Sequence, residues 1–303
     1  MYKLMVVGSM AFDAIETPFG KTDKIVGGAA TYICYAATYF NTPCRLIAVV
    51  GGDFPDSVIA DLQQRGVETD GLQIKPNEKS FFWSGRYYND LNSRDTLATE
   101  LNVLGSFEPH VPPTYQGSDM LMLGNLQPQV QLRVIEQLAQ RPKLIAMDTM
   151  NFWMDNTPNE LQAVLKKVDL LMVNDEEARQ LSGEYTLVKA AKKIFTMGPK
   201  YLIIKKGEHG ALLFYENEVF FAPALPLEEV FDPTGAGDTF AGGFMGYLAS
   251  TADLSFENMK RAIIHGSALA SFCVERFGLE RLQSITQQQL ADRVGQFVRL
   301  TAF

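Results

Sequence analysis

Phe231-Asp232-Pro233-Thr234-Gly235-Ala236-Gly237-Asp238-Thr239-Phe240-Ala241-Gly242-Gly243 reads as a loop that tightens into the start of a helix. Pro233 stops whatever precedes it, because its ring fixes φ and removes a backbone donor. Gly235 and Gly237 bracket one small residue, which frees the backbone for conformations closed to bulkier side chains and for close approach to a ligand. Residues 239–250 are then apolar and small, the pattern of a buried helix. The first turn of such a helix leaves N–H groups without intrahelical partners at the positive end of its dipole, and such a terminus suits phosphate.

Asp238 places a carboxylate beside this anion-shaped terminus, and two readings fit it. As a helix N-cap it fills a role that Asp takes often. As a general base it takes a proton from a substrate hydroxyl while the glycine N–H groups hold the transferred phosphoryl. Positioning and charge stabilisation are what phosphoryl transfer needs from a protein. The readings are compatible, since one carboxylate oxygen can cap while the other faces the substrate.

The run from Asp232 to Asp238 resembles the C-terminal signature of the ribokinase-like (PfkB) family of carbohydrate and nucleoside kinases. A seven-residue match ending in Asp and running into Thr-Phe-Ala-Gly-Gly is far more specific than a lone glycine pattern. The resemblance implies a three-layer α/β/α fold with a mostly parallel central sheet and a small β-sheet lid. It implies ATP and Mg2+, with Asp238 as base and Gly235, Ala236 and Gly237 as the anion hole. Thr234 falls on the nucleotide side, and Asp232 where many members bind a monovalent cation such as potassium, together with backbone carbonyls of residues 273–278.

Composition sets the outer bounds. The chain has 303 residues, 47% hydrophobic and 20% charged, which suits one α/β domain over 1–303 with a sizeable core. A net charge of −8 with no Lys/Arg run argues against nucleic acid or an anionic membrane as partner. Cys34, Cys44 and Cys273 form no metal-type pair and read as free thiols of a reducing cytoplasm. No stretch approaches the ~20 apolar residues of a membrane span, so the expected location is cytoplasmic.

In order along the chain, residues 4–7 are a short apolar run stopped by Gly8, consistent with a central strand. Asp13 lies beyond its carboxyl end, where open α/β sheets bind ligands. A solvated loop Asp is the plain reading there; the resemblance implies that Asp13 holds acceptor hydroxyls. Gly27 and Gly28 open a small-residue run and resemble the family's N-terminal Gly-Gly motif, which lies against the sugar. Ribokinase-type members carry Asn four residues after the second glycine. Tyr32 stands there instead, an aromatic that can stack on a sugar or base or narrow the pocket.

Residues 45–50 read as a second strand and 55–65 as a helix with Pro55 in its first position and Gly66 past its end. The βα rhythm breaks at 80–103, an aromatic, β-favouring pair of runs around the polar turn 89–93. With 11–26, this region corresponds to the family's lid, and its face can line the pocket or pair with a second copy. Arg86 on it can reach a phosphate or simply face solvent. The rhythm resumes with strands at 119–123, 144–147, 168–173 and 201–204, a helix at 129–140, and an edge hairpin at 211–221. Phe152 and Trp153 fall on the expected ligand side, and 225–230 lead back to the signature, beside the adenine. Helices at 256–274 and 287–300 close the chain.

Asn174 and Glu177 can simply open a helix. They also reproduce the family's Asn-x-x-Glu motif, which implies that Glu177 organises Mg2+ through water beside the nucleotide phosphates. Lys206, Gly207 and Gly210 resemble the segment beside the nucleotide ribose and phosphates, with Lys206 equally readable as a surface lysine and His209 as an exposed turn residue. A Walker Gly-x-x-x-x-Gly-Lys-[Ser/Thr], a Gly-x-Gly-x-x-Gly after the first strand, and the metalloprotease and serine-hydrolase motifs are all missing. The sequence therefore predicts an ATP- and Mg2+-dependent kinase acting on a primary hydroxyl of a sugar, or of a nucleoside. A catalytically silent sugar- or nucleotide-sensing module is the reading from a different class, against which the presence of Asp238 argues.

Overall fold

The computed structural model describes residues 1–302; Phe303, the end of the expected domain, lies outside the described residues. In chain order its strands are β1 (Leu4–Val7), β2 (Ala11–Thr17), β3 (Gly20–Lys21), β4 (Ile25–Gly27), β5 (Cys44–Gly51), β6 (Val67–Lys75), β7 (Phe81–Tyr87), β8 (Arg94–Glu100), β9 (Met120–Leu123), β10 (Leu144–Asp148), β11 (Leu170–Asn174), β12 (Tyr201–Lys205), β13 (Ala211–Tyr215) and β14 (Glu218–Ala222). A nine-stranded sheet takes the order β14-β13-β12-β11-β10-β9-β1-β5-β6. It is parallel from β6 to β12, and β13 and β14 turn back antiparallel as an edge hairpin.

Period-two alternation divides each central strand between two cores. Leu4, Val6, Leu46, Ala48, Met120 and Met122 pack with helices Ala29–Thr38, Ala236–Thr251 and Phe256–Cys273 on one face. Met5, Val7, Ile47, Val49, Leu121 and Leu123 pack with helices Pro128–Glu136, Pro158–Leu165 and Leu187–Phe195 on the other. This is the expected three-layer α/β/α arrangement. A second, smaller sheet has the order β3-β2-β7-β8, with β4 on β2, so its strands come from the two regions on either side of β5 and β6.

Three elements differ from the sequence reading. The signature helix begins at Ala236, not 239, because Gly235 enters the left-handed region and the Ala236 N–H turns back to the Pro233 carbonyl. Pro55 is the N-cap of Asp56–Gln64 and not its first helical residue, while the helix expected over 129–140 is Pro128–Glu136. β6 carries too many polar residues for the pattern to announce it, and the amphipathic helices Pro158–Leu165 and Leu187–Phe195 were not read from the sequence.

Ala236–Thr251 sits between two helices at backbone contact. A Cβ on Gly242 would lie 2.3 Å from the Ile33 carbonyl oxygen, one on Gly246 2.8 Å from Ala37 Cα, and one on Gly243 2.9 Å from Gly266 Cα. No side chain fits those seams. Gly242→Ala should therefore lower the stability of the protein by about 1–3 kcal/mol through overpacking. A urea midpoint equal to that of the wild type would show that the seam yields.

Candidate active site

The signature loop is stitched to the end of Phe256–Cys273. The Phe231 and Asp232 N–H groups donate to the Val274 carbonyl at 2.8 and 3.4 Å. The Asp232 carboxylate, fully buried, accepts from the Thr234 N–H at 2.8 Å and the Gly278 N–H at 3.1 Å. Burial raises its pKa, with those hydrogen bonds opposing. Gly235 has φ +76, and a Cβ there would lie 2.4 Å from the Tyr32 ring, so both conformation and space demand glycine.

Helix begins at the next residue, which puts Asp238 in the first turn at the third helical position. Its side chain makes no capping bond, so the N-cap reading gives way: Gly235 occupies that place. The Ala236 N–H is met by Pro233 and the Thr239 N–H by Gly235, whereas among the described residues no acceptor meets the Gly237 or Asp238 N–H. Two free donors and a half-buried carboxylate thus share one turn. Burial, and then the charge of Asp148, push Asp238 up to about 7, against the pull of Lys205 and Arg94.

Lys205, which the sequence reading passed over in favour of its neighbour, completes this turn. Its ammonium donates to Asp148 Oδ2 at 2.6 Å and lies 3.0 Å from where a Gly237 Cβ would be. Burial opposes its charge, but Asp148, Glu177 and Asp238 outweigh that and raise its pKa. Strand alternation carried the signal: Lys205 shares the parity of Ile203, which packs in the core that holds the signature helix. Lys206 by contrast closes the turn through its N–H to the Gly210 carbonyl at 2.8 Å, and its ammonium makes no ion pair or hydrogen bond within the described residues.

Asn174 and Glu177 form a capping box. The Glu177 N–H donates to Asn174 Oδ1 and the Asn174 N–H to Glu177 Oε2, each at 2.7 Å. Burial and the charge of Asp148 raise Glu177 to about 7, with Lys205 opposing. Gly207 (φ +54) faces the tip of the small sheet, where its Cβ would meet Asn92 Oδ1, and Gly210 (φ +86) faces the Ala222 carbonyl. The Thr234 hydroxyl and the Tyr87 hydroxyl lie 3.3 Å apart, a second contact between the small sheet and the signature loop.

On the other side of the signature, Asp13 is 5% exposed and a Gly27 Cβ would overlap its Oδ2 at 1.9 Å. Gly28 has φ +94 and its Cβ would meet the Ser9 carbonyl at 2.6 Å. Burial, then Asp232 and Asp238, push Asp13 up to about 7. The charges of Asp232 and Asp238 therefore act on Asp13 across the signature. Tyr32, expected to offer a ring for stacking, is 1% exposed and packed beneath Gly235, so it has no free face; its hydroxyl is buried without a partner.

Other candidates fall outside. Arg86 is exposed and pairs with Glu16 at 2.8 Å within the small sheet. His209 is exposed, as expected. Trp153 Nε1 donates to Asn125 Oδ1 at 2.9 Å while Phe152 packs edge-on against it. A cavity of about 680 Å³ opens between residues 227–231 and 275–284, lined by Phe231, Arg276 and Arg281, and includes none of the carboxylates described above.

Comparison with known proteins agrees with this geometry at the level of family and fold. A family model described as pfkB family carbohydrate kinase matches residues 1–285. The cytidine kinase of Thermococcus kodakarensis is 29% identical over 251 residues, covering 81% of this chain and 88% of that protein. The Burkholderia thailandensis nucleoside kinase solved in complex with inosine superposes with a TM-score of 0.77 at 21% identity, covering 97% of this chain and 98% of that one. An Escherichia coli chain solved in complex with ATP and Mg2+ gives a TM-score of 0.76 at 21% identity, covering 99% and 100%.

The buried Asp13 makes stability depend on pH. Folded at about 7 against 3.8 for the free side chain, it binds more protons folded than unfolded between those values. Its contribution is fully present below about pH 4, is lost as pH rises through about 7, and stays lost above. Asp13→Asn should therefore be more stable than wild type at pH 8, by on the order of a few kcal/mol, and the gap should close towards pH 4. Parallel stability–pH curves from urea titrations would contradict this.

Proposed function

The chain belongs to the pfkB family of carbohydrate kinases, and from that premise we propose that it moves the γ-phosphoryl group of ATP to a primary hydroxyl, with Asp238 as general base. The observation that carries this reading is the single helical turn holding two unpartnered N–H groups and a carboxylate raised to about 7. A base works best when its pKa lies near the operating pH. The free Gly237 and Asp238 N–H groups are ready-made donors for the oxygens of the transferring group, while the Ala236 N–H of the expected anion hole is taken by Pro233.

The remaining roles follow the two sides of that turn. Asp13, beside Gly27 and Gly28, accepts from the acceptor's hydroxyls. Thr234, Lys206, Gly207 and Gly210 flank the nucleotide, with Asn174 holding Glu177 in place. Glu177 fits a Mg2+ ion held through water, because it is a buried carboxylate raised to about 7 that, among the described residues, accepts only from the Asn174 N–H. Bound there, the ion would neutralise phosphate charge. Tyr32 supports Gly235 from below and takes no part in stacking.

The small sheet acts as the lid, since Tyr87 and Asn92 already touch the signature and nucleotide turns. A lid excludes water, which competes as phosphoryl acceptor. Its outer strand β8, with Leu97 exposed on it and Leu101 just past its end, is the surface proposed for a homodimer and open to test by sedimentation. Beside Asp232, a buried carboxylate bonded to no cationic side chain among the described residues, a potassium ion would supply positive charge.

The acceptor is a sugar or a nucleoside, and the similarity to the cytidine kinase favours the nucleoside. ADP release should appear with nucleosides ahead of free ribose or hexoses, and faster in potassium than in sodium or choline buffer. Asp238→Asn should lower kcat about 10³-fold with the KM for ATP within about threefold of wild type. No ADP release with any acceptor would sink the kinase reading, and an Asn variant at full rate would sink the base.

A further inference from the structure

Lys205 and Asp148 form a buried ion pair that neither the glycine turn nor the capping box requires. Asp148 closes β10 and Lys205 closes β12, two strands apart across β11. Both Asp148 oxygens are engaged: Oδ2 accepts from Lys205 Nζ at 2.6 Å and Oδ1 from the Thr149 N–H at 2.7 Å. The lysine is held at the first turn of Ala236–Thr251, 3.0 Å from the place of a Gly237 Cβ.

As a mere staple between strands, the pair would be a poor choice, because apolar residues of similar volume stabilise a buried position as well or better. Its placement supplies what a staple does not need. The Gly237 and Asp238 N–H groups are free, and the ammonium stands beside them. Two backbone donors and an ammonium therefore lie at one helical turn.

We propose that Lys205 is a catalytic residue of the phosphoryl transfer, its ammonium donating to the transferring group together with the Gly237 and Asp238 N–H groups, and that Asp148 is the residue that positions it. This rests on the kinase reading above. The bond that forms joins the acceptor oxygen to the γ-phosphorus, the bond that breaks joins that phosphorus to the β–γ bridging oxygen, and the hydroxyl proton goes to Asp238. Lys205 keeps its proton throughout and offsets charge on the oxygens as they pass from one partner to the other. Asp148 fixes the lysine's direction, so that little reorganisation is needed when the phosphoryl arrives.

The test uses the full chain with Lys205→Met, Lys205→Arg, Asp148→Asn and the double variant Lys205→Met with Asp148→Asn, each checked by thermal melting. Removing Lys205 alone strands a buried carboxylate and can unfold the protein; the double variant removes both charges and is the decisive one. It should melt within a few degrees of wild type yet turn over about 10²–10³-fold more slowly. It should bind ATP at least tenfold more weakly while ADP binding changes less than about threefold, read by calorimetry without turnover. Lys205→Arg should recover part of kcat, and Asp148→Asn should lose about tenfold in kcat with little change in the acceptor's KM.

A double variant at the wild-type rate would reduce the pair to a staple and overturn the proposal. Equal losses of ATP and ADP affinity would do the same, since the lysine would then sense the nucleotide and not the transferring group. A wild type that binds ATP but releases no ADP leaves the binding comparison intact and strikes only the kinase reading. A wild type that binds neither nucleotide overturns both.

Discussion

Everything in the site depends on how closely one helix is clasped. Gly242 and Gly246 bring Ala236–Thr251 against the backbone of Ala29–Thr38, and Gly243 brings it against Gly266 of Phe256–Cys273. Side chains hold most helix pairs 8–10 Å apart and leave them some freedom to adjust. Here the seams are backbone on both sides, and the helix has nowhere to slide. Its first turn is fixed in consequence, and with it the Gly237 and Asp238 donors. The loop before it is fixed as well, by Tyr32 under Gly235 and by the two N–H groups that Asp232 accepts.

That rigid frame holds a deliberately unbalanced set of charges. Asp148, Glu177 and Asp238 surround one lysine, with Arg94 adding positive potential from the small sheet. Burial of so many carboxylates raises Glu177 and Asp238 to about 7, as it does Asp13 across the signature. Charge held in that state is costly, and the protein tolerates it where stability yields to chemistry. The excess negative charge around Lys205 matches a ligand that arrives with a cation.

The fold was largely legible because its informative residues are repetitive. Buried parallel strands show as unbroken apolar runs, and the hairpin of β13 and β14 shows its turn at residues 216–217. What escaped was set by contacts distant in the chain. β6 is half polar yet pairs along β5. The start of the signature helix depended on a left-handed Gly235, a position where both the backbone conformation and the ring of Tyr32 demand glycine. Tyr32 itself looked like a ligand contact because its place in the resemblance invited it, whereas its neighbours in space are the glycine turn and buried acids. Lys205 was hidden by its neighbour: in Lys205-Lys206 the second lysine sits in the recognisable turn, but the first has the parity that faces the helix.

The same turn explains why a carboxylate can stand among anion donors without defeating them. Asp238 contributes both a backbone N–H and a side chain, so its carboxylate and its donor differ in position only by the rotamer of one residue. In a first helical turn the N–H groups point back along the axis, while the side chain leaves at the helix surface. The two functions are thereby aimed at adjacent points with no intervening flexible segment. Phosphoryl transfer is sensitive to misplacement of about 1 Å, and few arrangements fix two groups more tightly than one residue in a clasped helix. The glycines of the seam and the geometry of the turn are one constraint: a side chain added at Gly242 would displace the Asp238 carboxylate and the Gly237 and Asp238 N–H groups together, although it touches none of them.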